Sequence, residues 1–202
     1  MEVQVTTSAP QAEARAVGPG LTRHFEAESS VEGSAEAVFT HVDSPLQLSS
    51  HMNQSSWKMG WGKMETVLDE DKGQKVGSKI RFQGRILGVS LSVDEVVVER
   101  NPPHQKAWET IDLPRLLVIG RYRMGFEILP RGRTSTLRVF IDYSLPASVG
   151  GRLLGALFGG FYARWCTRQM IADTVGHFRT AAFLFSAFVG AVYSYTAYRL
   201  TC

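Results

Sequence analysis

The residue types able to do covalent or metal chemistry are few in this chain, and their spacing does not suit that work. Its two cysteines, Cys166 and Cys202, form neither a disulfide framework nor a CxxC metal site. The five histidines, His24, His41, His51, His104 and His177, make no HExxH pattern or ligand cluster, and there is no GxSxG elbow. The stretch KGQKVGSK has the glycines and lysines of a phosphate loop but not its spacing, since Ser78 precedes Lys79, so it reads as a charged hairpin turn. No metal and no cofactor are therefore expected. His41 and His51 fall on short helices and are the histidines able to face a cavity mouth; capping or surface roles are the plainer alternative.

What remains is the chemistry of hydrogen bonds made from apolar surroundings. Tyr122 and Tyr143 fall on the apolar register of strand-like runs, where each can donate to a bound carbonyl or to a local partner in the core. Glu109 shares a register with Ala107 and Ile111, which makes it a candidate buried acid with a raised pKa; Trp108 takes the opposite face, and the pattern leaves open which of the two points inward. Arg168 continues the ladder Leu154, Leu157, Phe161 and Trp165 of a helical segment. There it either binds a ligand carboxylate or phosphate or escapes to water at the edge. With Phe82, Phe126, Phe161 and Trp165 as apolar walls, these residues are the candidate ligand-binding set.

The elements that must position them follow from periodicity. Residues 1–21 read as a disordered leader, with no basic, apolar signal sequence. RHFEAESSV is a first strand, and two short helices follow, one capped by Ser34 and striped by Val38, Phe39 and Val42, the next opened by Ser44 and Pro45. From Trp61 to Leu145 the period becomes two, as in an antiparallel meander with one wet face. Ile80, Phe82, Gly84 and Ile86 share one side of a strand, as do Tyr122, Met124, Phe126 and Ile128 of a second and Leu137, Val139, Ile141 and Tyr143 of a third. A long helix closes the domain. Leu154, Leu157, Phe158, Phe161, Trp165, Ala172 and Val175 lie at helical spacing and are the predicted buried face.

This order resembles the helix-grip fold of the START/polyketide-cyclase-like (SRPBCC) superfamily, and the phrases VEGSAEAVFTHVDSP, GFEILPRGRTSTLRVFIDYSLP and GRLLGALFGGFYARWCTRQM resemble its strand-to-helix entry, last hairpin and C-terminal helix. The resemblance covers residues 22–178. It implies an α+β domain in which a curved antiparallel sheet wraps a long C-terminal helix beside two short helices, enclosing a tunnel for lipids or other hydrophobic small molecules. Some relatives are cyclases or aromatases, so a polyketide cyclase/dehydratase-like enzyme is the alternative, and a buried acid–tyrosine pair would favour it. A macromolecule-docking protein with a vestigial cavity is the third reading, with Arg121, Arg123, Arg131, Arg133 and Arg138 as its basic face or as an attraction for anionic lipid headgroups.

Residues 179–202 form a separate expectation. The run 180–198 carries no charge, Arg179 and Arg199 bracket it, and its length matches a hydrocarbon core of about 30 Å. A transmembrane anchor over residues 181–198 is expected, with the domain on the cytoplasmic side; a soluble cytoplasmic chain whose last helix packs on the domain is the alternative. The ladder Ala182, Ser186, Gly190 and Ser194 suits helix–helix homo-oligomerisation. A net charge of +3 is too small to call for nucleic acid.

Overall fold

Strand β1, Arg23–Val31, enters helix α1, Ala35–Val42, through a tight link in which Ser34 caps the helix by accepting from the Ala37 N–H at 3.3 Å. A single turn, α2 at Pro45–Leu48, starts at the proline. The sheet continues with β2, Lys63–Leu68, β3, Lys79–Ile86, β4, Val89–Asn101, β5, Gln105–Thr110, β6, Tyr122–Arg131, and β7, Thr134–Tyr143. Helix α3, Val149–Arg199, is the last described element. This computed structural model describes residues 20–48, 63–86 and 88–199, without the side chains of residues 48, 63, 64, 86 and 181–199. Residues 1–19 of the expected leader, His51 and the side chains of the expected anchor lie outside the described residues. Among the described residues, no helix is long and apolar enough to cross a membrane.

The seven described strands pair antiparallel in the order β1-β7-β6-β5-β4-β3-β2. Period-two alternation sends Ile80, Phe82, Leu91, Val93, Val97, Tyr122, Met124, Phe126, Ile128, Leu137, Val139, Ile141 and Tyr143 to one buried face. One end of that face is covered by α1. Val38, Phe39 and Val42 are buried there, and the Phe39 ring meets the Phe126 ring edge-on at 5.7 Å. Each fully buried side chain of this kind contributes about 1.5–3 kcal/mol.

The long helix buries a different face from the predicted one. Leu154, Leu157, Phe158, Phe161 and Ala172 are exposed, while Gly155, Gly159, Ala163, Cys166, Thr167, Met170, Ile171 and Thr174 are buried. The cause is close approach. A Cβ on Gly155 would lie 2.7 Å from the Val118 carbonyl oxygen, and one on Gly159 would lie 2.9 Å from the same oxygen and 3.4 Å from the Tyr143 ring. Only residues lacking bulk fit the inner side, so the large apolar residues of the first turns point outward. Thr167 and Thr174 tolerate burial because their hydroxyls donate to the Ala163 and Met170 carbonyls of the preceding turn, at 3.0 and 2.9 Å.

Candidate functional site between sheet and helix

The sequence LSVDEVVV alternates so that Leu91, Val93, Glu95 and Val97 occupy one face of β4, which delivers a carboxyl into the apolar interior. There Glu95 is buried and accepts a hydrogen bond from the Tyr122 hydroxyl of β6, while the neighbouring Trp108 indole of β5 favours its ionised form. Burial, set against these two residues and the charge of Lys106, pushes the Glu95 carboxyl up to about 7. The same burial, with the Glu95 charge beside it, holds the Tyr122 hydroxyl well above its ordinary pKa. Tyr122 is therefore a donor at any physiological pH, and Glu95 exchanges its proton near neutrality.

Helix α3 completes this polar island. Tyr162 and Cys166, one turn apart, both lie near enough to Tyr122 to interact with it electrostatically. Burial pushes the Cys166 thiol up to about 12, so it is a core thiol and not a nucleophile. Trp165 is half-buried and tilts against Tyr162 with ring centroids 6.2 Å apart. A second buried network lies beyond Trp108. The Asp43 carboxylate, one residue after α1, accepts from Lys106 Nζ at 2.8 Å and from Arg100 Nη2 at 2.8 Å, and the Asp43 carbonyl accepts a further bond from Lys106 Nζ at 2.7 Å. Burial raises the Asp43 pKa, but the donors and charges of Arg100 and Lys106 outweigh it and hold the carboxyl below its usual range. For Lys106 the balance runs the other way: burial lowers its pKa by more than Asp43 restores.

The candidate residues distribute unevenly. Phe82, Tyr122, Phe126 and Tyr143 are buried on the inner face; Phe126 packs between Phe39 and Trp108 as a core residue, and Tyr143 lies under Gly159 and Gly160. Three placements are corrected. Glu109 stands on the outer face opposite Arg123, with Trp108 inward in its place; Phe161 is exposed; and Arg168 is exposed because the inner stripe of α3 passes through Cys166, Thr167 and Met170 instead. The sequence reading missed Glu95, Lys106 and Asp43. The first had a visible signal, an acid in an apolar register, while the other two are joined across 63 residues with no local trace.

Elsewhere the remaining motifs have structural employment. His41 stacks on His177 at 4.1 Å, joining α1 to α3. The KGQKVGSK turn is tied to itself: Ser78 Oγ donates to Asp69 at 2.6 Å and accepts from the Gly73 N–H at 2.8 Å, which uses the groups a phosphate would need. Arg123 pairs with Glu99, and Arg138 with Glu26 and Glu127, so the hairpin's basic face is partly neutralised. Among the described residues, no group of three or more His, Cys, Asp or Glu could hold a metal. A groove of about 900 Å³ at β2, β3 and β4, lined by Glu65, Gln83, Arg85, Ser90, Ser92 and Arg115 among others, is separate from the Glu95 island.

An antiparallel sheet gripping a long C-terminal helix is the helix-grip fold expected above. The similar solved structures include a protein of Thermus thermophilus, with 15% identity and a TM-score of 0.57 over 79% of this chain and 99% of that one. They also include Ara h 8.0201, with 8% identity and a TM-score of 0.50 over 78% and 98%. A third is truncated norcoclaurine synthase from Thalictrum flavum, with 16% identity and a TM-score of 0.50 over 76% and 92%. At these identities the likeness is one of fold. No protein-family profile matches the chain, and no curated protein matches it.

Proposed function

We propose that this domain binds or carries a hydrophobic small molecule or lipid between the inner face of the sheet and helix α3. The observation that carries the reading is the buried Glu95–Tyr122 pair, a small polar island beside Trp108 and Tyr162 on an otherwise apolar inner face. Binding sites for small molecules are mostly apolar walls with a few convergent polar groups, which is the chemistry collected here. The ligand's apolar body takes the place of core contacts, and its single carbonyl or hydroxyl meets the carboxyl and the phenol.

The test uses a fluorescent fatty acid, a quinone and a sterol against the full chain. At a free concentration a hundredfold above Kd, a bound probe is expected to add about 2.7 kcal/mol of stability. For a chain of this size that is a rise in Tm of roughly 5–10 °C. If none of the three binds saturably or protects against heating, the reading fails.

The same pair favours a second reading. A carboxyl titrating near neutrality beside a phenol is a serviceable acid–base couple, as a cyclase or dehydratase would need, and a helix-grip structure is known for a synthase. Under this reading Glu95→Gln and Tyr122→Phe abolish turnover of a polyketide-like substrate while leaving its binding within a few-fold.

A further inference from the structure

We propose that the first four turns of α3 are a docking surface for an anionic lipid bilayer. The close approach that buries Gly155 and Gly159 turns the bulky residues of the same turns outward, so that Leu153, Leu157 and Phe161 are 66%, 67% and 72% exposed, with Val149, Leu154 and Phe158 exposed beside them. Leu153, Leu157 and Phe161 recur every fourth residue and thus form one stripe along the helix. Arg164 and Arg168, also exposed, continue it toward the C-terminus, and Arg152 flanks it. Between Val149 and Ala172 the helix has three arginines and no acid.

An apolar stripe of leucine and phenylalanine with arginines on and beside it fits a bilayer interface, where the hydrocarbon side chains enter the acyl boundary and the guanidinium groups meet phosphate. A second copy fits poorly. Two such stripes laid antiparallel about Leu157 would set Arg164 of one copy near Arg152 of the other, and laid parallel they would oppose Arg164 to Arg164, with no acid on either helix segment to relieve the repulsion. Docking here is independent of whatever fills the interior. It also differs from anchoring by the run 181–198: α3 is unbroken to Arg199, and about 36 Å of helix separates Leu157 from residue 181. A bilayer spanned by that run would leave the stripe out of reach.

The experiment is co-flotation of the full chain with vesicles of phosphatidylcholine alone and of phosphatidylcholine with phosphatidylserine. The wild type is expected to float with the anionic vesicles, to be released by high salt or carbonate, and to bind the neutral ones weakly. Leu157→Glu with Phe161→Glu should weaken anionic-vesicle binding by about tenfold or more, because two buried apolar groups are lost and two acids gained. Arg164→Gln with Arg168→Gln should erase the preference for anionic over neutral vesicles. Since all four positions are exposed, unchanged thermal unfolding serves as the folding control. Wild-type binding by both double variants, equal binding of the wild type to both vesicles, or a self-association that the Leu157/Phe161 variant breaks would each overturn the proposal; so would a wild type that does not float.

Discussion

Replacing Asp43 with alanine is expected to lower the unfolding free energy by about 3–5 kcal/mol, the cost of breaking a buried ion pair by removing one partner. The site meets the conditions for that penalty. The Lys106 side chain is only 3% exposed, and its two hydrogen bonds go to the Asp43 carboxylate and the Asp43 carbonyl, so the mutation leaves an ammonium in the core facing a single carbonyl. Arg100, being partly exposed, can turn to water and suffers less. The lysine therefore carries most of the loss. Adding Lys106→Met to Asp43→Ala should recover a large part of it, because an apolar side chain of similar length asks nothing of the missing carboxylate. Urea unfolding of the wild type and the two variants measures this. A loss below about 1 kcal/mol for Asp43→Ala, or no recovery in the double variant, would mean that the network does not hold α1 against the sheet as described.

The second large effect is a pH dependence at Glu95. Its carboxyl titrates near 4.5 when the chain is unfolded and at about 7 in the fold. Below about pH 4 both states are protonated and the group contributes no difference. As pH rises through this interval the unfolded carboxyl ionises first, which favours unfolding; above about pH 7 both are ionised and the penalty is constant at roughly 3 kcal/mol. Glu95→Gln removes the titration but keeps an oxygen that accepts from Tyr122. The variant should therefore gain about 3 kcal/mol relative to the wild type between pH 4 and pH 8, read from paired unfolding curves. A stability difference that stays flat across that range would show that Glu95 is hydrated or already ionised in the fold.

Much of this architecture was legible before any coordinates. Alternation in SKIRFQGRI, RYRMGFEI and TLRVFIDY assigned the inner faces of β3, β6 and β7, since a half-buried antiparallel strand must repeat with period two. The Ser34 cap and the Pro45 start announced themselves by residue type. The long helix was legible as a helix but not as to its face, because hydrophobic periodicity ranks residues by bulk, whereas here the seam with Val118 and Tyr143 has no room for a Cβ at positions 155 and 159. That one inversion carried Phe161 and Arg168 to the wrong side. Glu109 was left open for a smaller reason: in KAWETI both registers contain an apolar and a charged residue, and pairing with β6 decides that Trp108 joins Met124 and Glu109 joins Arg123. Glu95 was readable, since it interrupts an apolar register, whereas the partnership of Asp43 with Arg100 and Lys106 links parts of the chain that only the fold brings together.

The central claim is that the space between the sheet and α3 is built for a hydrophobic guest, and native mass spectrometry of the full chain, followed by solvent extraction of whatever it carries, tests this most directly. The expected result is a second mass series, heavier than the chain by one small molecule, that collapses to the bare chain on activation and yields an apolar species bearing one polar end. A bare chain from every host used for expression, which also takes up no fatty acid, quinone or sterol when each is supplied in excess, would contradict it.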